Sequence, residues 1–423
     1  MTANIEQISL LDFFKFKAPT HLLGTTYTVS LMFFESAVWP SVDKTRLKRC
    51  LVLCDKEGFR RAAYEASGLK EVSLSYMAIP VPTERTFHPK FWIAVNNKEV
   101  SFLVGSGNLT QSGFVENNEL FDVVFFDHSS ADPSLTTDLI NFLKGLRGLF
   151  STGNENGQWV IETIHQIVDL LPLGLPENAG MQAARLLHSF SSTFPEELAN
   201  LSPGEGADLY LASPYFGTGL DGLELLRDEV KPKRVIVCPA RLNKGINFQS
   251  KYVADDDAVE ICKLKIGKEG ALSHFKLYGL AHPSGNGLLF NGSVNCTYLA
   301  MISSNIEAGL ARQVTSKEVE EYFRDREPHN DLNFESLTSS QSTDEMWIVI
   351  YAINLGGALE LTIPATKGIE LPLDDVVVTL RRENDIALAK FGRLFSTQAE
   401  KPRLAWDNFW PLPQNLWVGA GKK

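Results

Sequence analysis

His88-Pro89-Lys90-Phe91-Trp92-Ile93 and His274-Phe275-Lys276-Leu277-Tyr278-Gly279 are two copies of one stretch, a His-x-Lys that runs into an apolar segment. Each copy continues to a small-residue signature, Gly105-Ser106-Gly107-Asn108 in the first and Gly292-Ser293-Val294-Asn295 in the second. Each then reaches an Asn-x-Glu, Asn117-Asn118-Glu119 and Asn305-Ile306-Glu307. Upstream, three strand-like runs match in the same order: Thr26–Phe34 with Asp208–Phe216, Cys50–Cys54 with Arg234–Cys238, and Val72–Ile79 with Val259–Ile266. These runs are rich in apolar and β-branched residues and are bounded by polar or turn residues, which predicts strands. An order held at a nearly constant offset over that length is an internal duplication.

Helical spacing of apolar residues falls between the strands, at Leu135–Phe150, Trp159–Leu171 and Leu220–Val230. Strands alternating with helices predict an α/β fold whose sheets are covered on both faces. The expected organisation is a first half over residues 1–172, a second over 173–335 related by a pseudo-twofold axis, and Pro172–Gly180 as the link. Residues 336–423 differ in character. After the polar Ser336–Thr343, Met346–Ala352, Ala358–Ile363, Val376–Leu380 and Ile386–Phe395 read as strands, with Trp406, Trp410 and Trp417 near the end. A C-terminal all-β module, a small sandwich or barrel, is the expectation.

The repeated residues form a chemical set. If His-x-Lys lies on a strand, alternation puts imidazole and ammonium on one face, and the Asn at the end of the next strand joins them. Two copies supply two imidazoles (His88, His274), two ammonium groups (Lys90, Lys276) and two amides (Asn108, Asn295). Lysines and amides donate to the non-bridging oxygens of a phosphodiester while the imidazoles flank phosphorus. Glycine and serine would let the backbone approach the phosphate; Ser106 and Ser293 would support through a hydrogen bond. An attacking imidazole needs its second nitrogen held by an acceptor, and Glu119 and Glu307 are the candidates, each serving its own half or crossing over.

Paired His-x-Lys, Gly-Ser-x-Asn and Asn-x-Glu motifs resemble the phospholipase D superfamily over roughly residues 20–315, in its nuclease-like branch. The resemblance implies a duplicated phospholipase D-like α/β sandwich and cleavage without metal or other cofactor. It implies that one neutral histidine attacks phosphorus and the other, as imidazolium, protonates the leaving oxygen. The common motif carries an Asp five residues after the Lys. Val95 and Ala281 stand there instead, a departure shared with tyrosyl-DNA phosphodiesterase and some nucleases and uncommon in phospholipases. The expected function is a DNA-cleaving nuclease, in restriction or phage defence, with the C-terminal module available to a partner such as an ATPase or helicase. The alternatives are a phospholipase D or phosphatidyl transferase, and a non-catalytic nucleic-acid-binding module.

Bulk properties bound these readings. The 423 residues carry a net charge of −11, which argues against a surface coated in cations for nonspecific nucleic-acid binding and leaves room for a local basic cleft. Arg85, Arg241, Lys244, Lys263 and Lys265 are candidates to line it. No apolar run has spanning length and no amphipathic basic helix is evident, so no membrane partner is expected. Cys50, Cys54, Cys238, Cys262 and Cys296 read as buried free thiols of a cytoplasmic protein. A Lys two residues from each His is a poor neighbour for a divalent cation, and no metal site is expected. The remaining histidines, and Phe91, Trp92, Tyr278 and Phe290, read as structural.

Overall fold

The two motif copies enter two sheets of the same topology. In this computed structural model the chain divides into two compact units, Met1–Ala62 with Lys70–Leu337, and Ala63–Leu69 with Thr338–Lys423. The structure describes residues 10–328 except 17, 64–68, 128, 173–183, 218, 243–244, 247–257, 266 and 268–270. Beyond 328 it describes only the strand residues given below. The expected link at Pro172–Gly180, the segment Ser336–Thr343, Trp406 and Trp410 lie wholly or almost wholly outside the described residues.

The first sheet contains β1 (His21–Thr26), β2 (Arg49–Cys54), β3 (Met77–Pro80), β4 (Phe91–Val95), β5 (Glu99–Gly105) and β6 (Phe121–Asp127), in the order β3-β2-β1-β4-β5-β6. Strands β1, β2 and β3 are parallel, and the others pair antiparallel. The second sheet contains β7 (Ala184–His188), β8 (Asp208–Ser213) and β9 (Arg234–Pro239). After the short β10 (Arg241–Leu242) and β11 (Gly245–Ile246) come β12 (Val259–Leu264), β13 (Lys276–Ala281), β14 (Asn286–Gly292), β15 (Ala308–Thr315) and β16 (Arg326–Pro328). Its order is β16-β12-β9-β8-β13-β14-β15-β7. Without the flanking β16 and β7, this repeats the first sheet in order and in strand sense.

Helices complete the layers, beginning with the short α1 (Leu31–Phe33) and α2 (Lys56–Ala63) of the first half. In the first half Asp132 caps α3 (Pro133–Arg147) by accepting from Ser134 N and Leu135 N, with Pro133 in the first turn. Asn154 caps α4 (Glu155–Asp169) through Gly157 N. Their apolar stripes, with Phe142 and Ile164 at the centre, bury the inner face of the first sheet. Phe142 meets Phe91 edge-on at 5.1 Å. Ile306, Ala308 and Leu310 of the second half belong to the same core, so the halves share buried apolar surface, worth about 1.5–3 kcal/mol per large side chain. In the second half α5 (Phe194–Leu201), α6 (Asp221–Val230) and α7 (Tyr298–Met301) cover one face, while Val319 of α8 (Ser316–Tyr322) packs on the other.

Several sequence expectations need correction. Thr26–Phe34 is not a strand: β1 is His21–Thr26, and residues 31–41 are helical, one short turn of each helix type in succession. Ser30 starts that helix by accepting from Phe33 N, which outweighs the strand preference of the apolar run. The third strand shrinks from Val72–Ile79 to Met77–Pro80, because Ser75 N and Leu74 N turn back onto Glu71 O. The run Asp208–Phe216 ends as a strand at Ser213. The five cysteines are free and buried, as expected. In the C-terminal unit Tyr351–Asn354, Ala358–Thr362 and Arg403–Ala405 form one three-stranded sheet. Val377–Arg382, Asp385–Lys390 and Trp417–Gly421 form another.

Candidate active site

His88 and His274 sit just before β4 and β13, not within them, and their lysines stand at or beside the first strand residue. The lysine curls back: Lys90 Nζ donates to His88 O at 2.7 Å and Lys276 Nζ to His274 O at 2.6 Å. Both lysines are fully buried.

Two isolated bridges between the halves decide how the site is built. Phe87 pairs with Ile306, and Asn118 with Ser273. His88 N donates to Ile306 O at 2.9 Å, and His274 N to Asn118 O at 2.9 Å. Each bridge sets a histidine beside the glutamate of the opposite half. His88 Nδ1 lies 2.8 Å from Glu307 Oε2, and His274 Nδ1 lies 2.9 Å from Glu119 Oε1. The carboxylates therefore cross over, which the sequence had left open. In both pairs the acceptor fixes the proton on Nδ1; this leaves Nε2 of His88 as its free nitrogen, while Nε2 of His274 lies 3.2 Å from Lys276 Nζ. The Asn-x-Glu motif gains a role here: Asn117 Nδ2 donates to Glu119 and Asn305 Nδ2 to Glu307, each at 3.3 Å.

The Gly-Ser-x-Asn signature works partly differently from expectation. A side chain on Gly105 would strike Leu120 O at 2.2 Å, and one on Gly292 would strike Ala308 O at 2.5 Å. These glycines admit the neighbouring strand, not the phosphate. Both serines are buried. Ser106 Oγ accepts from Leu120 N at 3.0 Å, and Ser293 Oγ accepts from Ala308 N at 3.1 Å while donating to Glu307. They tie the signature to the strand that carries the glutamate. Asn108 Oδ1 accepts from Tyr27 N at 3.3 Å; the buried Asn295 Oδ1 has no hydrogen-bond partner among the described residues.

Residues that sequence reading passed over complete the cleft. Thr26 Oγ1 accepts from Leu109 N at 2.9 Å and donates to Thr28 O; Ser213 Oγ accepts from Cys296 N at 3.2 Å and donates to Tyr215 O. A hydroxyl at the end of β1 or β8 thus anchors the residue after each motif Asn, and the equal placement of Thr26 and Ser213 was the available signal. The loops so held bring Tyr27 to 5.4 Å from the His88 ring and Tyr215 to 6.2 Å from the His274 ring. Tyr215, Tyr298 and Leu299 are exposed at 38%, 47% and 56%, the last two in the helix that follows Asn295. By contrast Phe91, Trp92, Tyr278 and Phe290 are buried in the core as expected.

The candidates for a basic lining fall into different settings. Arg85 is engaged with carbonyl groups, and Lys263 and Lys265 are exposed on or beside β12. The side chains of Arg241 and Lys244 lie outside the described residues. Among the described residues no group of three His, Cys, Asp or Glu side chains gathers as a metal site, and no helix is long and apolar enough to cross a membrane.

Burial governs the charges. It holds His88 down to about 4, with Lys90 and Lys276 adding to the effect against the pull of Glu307. His274 is lowered for the same reason, with Lys276 next. Burial therefore favours the neutral form of both imidazoles in the free protein. Burial also pushes Lys276 to about 8 and Lys90 well below the usual range, the latter with help from Lys276. Burial raises the carboxyls of Glu119 and Glu307, but the histidine and lysine neighbours outweigh it and hold them below the usual range. Two desolvated ammonium groups that repel one another are relieved by an anion placed between them.

Comparison with solved structures follows this geometry. Yeast tyrosyl-DNA phosphodiesterase, as a histidine-to-alanine mutant, matches 73% of this chain and 88% of its own at 15% identity and a TM-score of 0.50. Phosphatidylserine synthase of Haemophilus influenzae matches 75% of this chain and 84% of its own at 11% identity and a TM-score of 0.45. Nuc of Salmonella typhimurium, a phospholipase D family member, matches 35% of this chain and 99% of its own at 10% identity and a TM-score of 0.25. No protein-family model and no curated protein sequence matches the chain.

Proposed function

We propose that this chain, which has a phospholipase D-like fold shared with yeast tyrosyl-DNA phosphodiesterase, is a phosphodiesterase, and specifically a nuclease that cleaves DNA through a phosphohistidine. The observation that carries the reading is the crossed pair of His–Glu contacts beside two buried lysines. Imidazoles with Nδ1 fixed by a carboxylate are suited to attack and proton transfer through Nε2. Ammonium groups that burial has left short of an anion are suited to a phosphate, and they supply its positive charge without a metal.

In this mechanism the diester binds between Lys90, Lys276, Asn108 and Asn295. His88 is the nucleophile in this reading, because its Nε2 is free whereas Nε2 of His274 lies 3.2 Å from Lys276 Nζ. Its Nε2 forms a bond to phosphorus as the phosphorus–oxygen ester bond breaks. The bound anion raises the affinity of His274 for a proton, and that proton passes from His274 to the leaving oxygen. Water then attacks phosphorus, gives its proton to His274, and releases His88 as the nitrogen–phosphorus bond breaks. Glu307 and Glu119 stabilise each ring when it carries positive charge.

The exposed Tyr215 ring beside His274 supports nucleic acid, since bases stack on tyrosine whatever their identity. The exposure of Tyr298 and Leu299 favours a second reading, contact with lipid acyl chains, so the substrate assay must include both. Cytoplasmic action in restriction or phage defence, with an ATPase or helicase docked on the C-terminal unit, is the setting we propose; its support is the sequence resemblance. The test is turnover by the purified chain, in EDTA, of labelled single- and double-stranded DNA, RNA and phosphatidylcholine vesicles. Cleavage of DNA is expected, weakening as salt rises. Hydrolysis of the vesicles with no cleavage of DNA or RNA at low salt would promote the lipid reading.

A further inference from the structure

Arg85 stands three residues before His88 and is drawn into the opposite half. Its Nη2 donates to Ser303 O at 2.5 Å, Asn305 O at 3.0 Å and Ser189 O at 3.3 Å, and its Nε faces Ser304 O at 3.4 Å. Consecutive carbonyls converge on one guanidinium here because Ser303 has a φ of 58°, a left-handed conformation that a non-glycine residue holds only at a cost. The segment so held leads directly into Glu307. Ser189 closes the loop from the other side, because Ser189 Oγ accepts from Glu307 N at 3.0 Å and Ser189 N donates to Glu307 O. Arg85 thus staples its own segment, residues 303–305 and the turn after β7 at one point.

The duplication makes the arrangement informative. The residue three places before His274 is Ala271, which has no side-chain donor. The His274–Glu119 pair is held by the Asn118–Ser273 bridge and Asn117, with no charged clamp from the equivalent position. The two His–Glu pairs are alike in distance and unlike in support. A planar guanidinium with several fixed donors can span carbonyls from two chain segments, 303–305 and the turn at Ser189; a point charge cannot.

We infer that Arg85 is a positioning residue for His88, acting through the backbone that presents Glu307, and that it makes the two halves of the site unequal. The catalytic consequence rests on the proposed diester cleavage, whereas the geometric consequence does not. With Arg85 gone, the 303–305 turn relaxes, Glu307 loses its fixed position, and the proton on His88 is shared between its two ring nitrogens. His274 keeps its tautomer, since Glu119 comes from a separate segment.

Two measurements on the full chain test this. The first, nitrogen-15 spectroscopy of the histidine rings at neutral pH, needs no substrate. Arg85→Ala is expected to move the His88 ring signals from a pure Nδ1–H pattern to an averaged one and to leave His274 unchanged. The second is steady-state cleavage of a labelled single-stranded oligonucleotide. Here Arg85→Ala is expected to lower kcat about 10²-fold, the scale of a small misplacement of a reacting group, with KM changed little. Millimolar guanidinium should restore part of kcat. Arg85→Lys, which keeps the charge and covers the case in which the alanine variant does not fold, is expected to show the same changes to a smaller degree. Wild-type ring signals at His88 in both variants, or equal changes at His88 and His274, would overturn the inference whether or not the chain cleaves DNA. Altered signals at His88 alone in the variants, with no turnover of any diester by the wild-type chain, would uphold the clamp and remove the proposed function.

Discussion

Replacing Glu307 by Gln tests the crossing of the two halves, because the change is nearly isosteric and removes only the charge beside His88. His88 Nδ1 and Glu307 Oε2 are 2.8 Å apart, and the glutamate side chain is 2% exposed. A unit charge pair at about 4 Å in an effective dielectric near 20 is worth about 4 kcal/mol, and the imidazole gains its charge as it attacks. The loss should therefore be about 10³-fold in the single-turnover rate. The pairing has a second readout. Glu307 raises the proton affinity of His88 against burial and the lysines, so Glu307→Gln should depress His88 titration further while His274 stays in place. Glu119→Gln should do the converse, since Glu119 raises His274. Rapid-quench kinetics on a labelled oligonucleotide and ring titration by nitrogen-15 spectroscopy give both quantities. A shift of His274 in the Glu307 variant, with His88 unmoved, would refute the crossed arrangement.

Lys90→Met and Lys276→Met should each lower kcat/KM by about 10³-fold on the same electrostatic scale, and a loss under tenfold would show that the ammonium groups do not face the phosphate. The pH profile follows from the neutral free site. Burial holds His88 down to about 4 and lowers His274 from the ordinary imidazole range, so protonating His274 in the free site calls for acid pH, while His88 stays neutral down to about 4. The profile of kcat/KM should therefore peak on the acid side of 6.5. The plateau of kcat should reach to higher pH, because kcat reports the complex and the bound anion raises the imidazole; coincident profiles would contradict this. A chain ending near Glu335 should keep its cleavage rate on a short oligonucleotide, as both motif copies lie before that point; insolubility would mean that the C-terminal unit completes the fold.

The duplication was legible because chemistry and fold repeat together. His88 with His274 and Asn108 with Asn295 keep their order relative to strands of the same sense, so both sheets could be anticipated from one dimension. The crossing was not legible. Phe87 meets Ile306, and Asn118 meets Ser273, only when the halves face one another, and nothing in either segment marks its partner. Residues 26–34 were misread because an apolar run carries no periodicity that separates a buried helical turn from a strand; the cap at Ser30 was the signal. Arg85 reads from sequence as a candidate cleft cation, and its role as a clamp escaped for the opposite reason. A search for repeats sees what occurs twice, and a single-copy clamp beside a duplicated motif looks like an ordinary surface charge.

The central claim is that one site, built from both halves, breaks a phosphodiester through a covalent histidine intermediate. Its most direct measurement is a denaturing quench of the chain with oligonucleotide labelled at the scissile phosphate, in EDTA, comparing wild type with His88→Ala and His274→Ala. The account predicts label bound to the wild-type protein through an acid-labile, base-stable bond to His88, none in His88→Ala, and no multiple turnover in either variant. Turnover near wild type in either histidine variant, or cleavage that requires an added divalent ion, would contradict it.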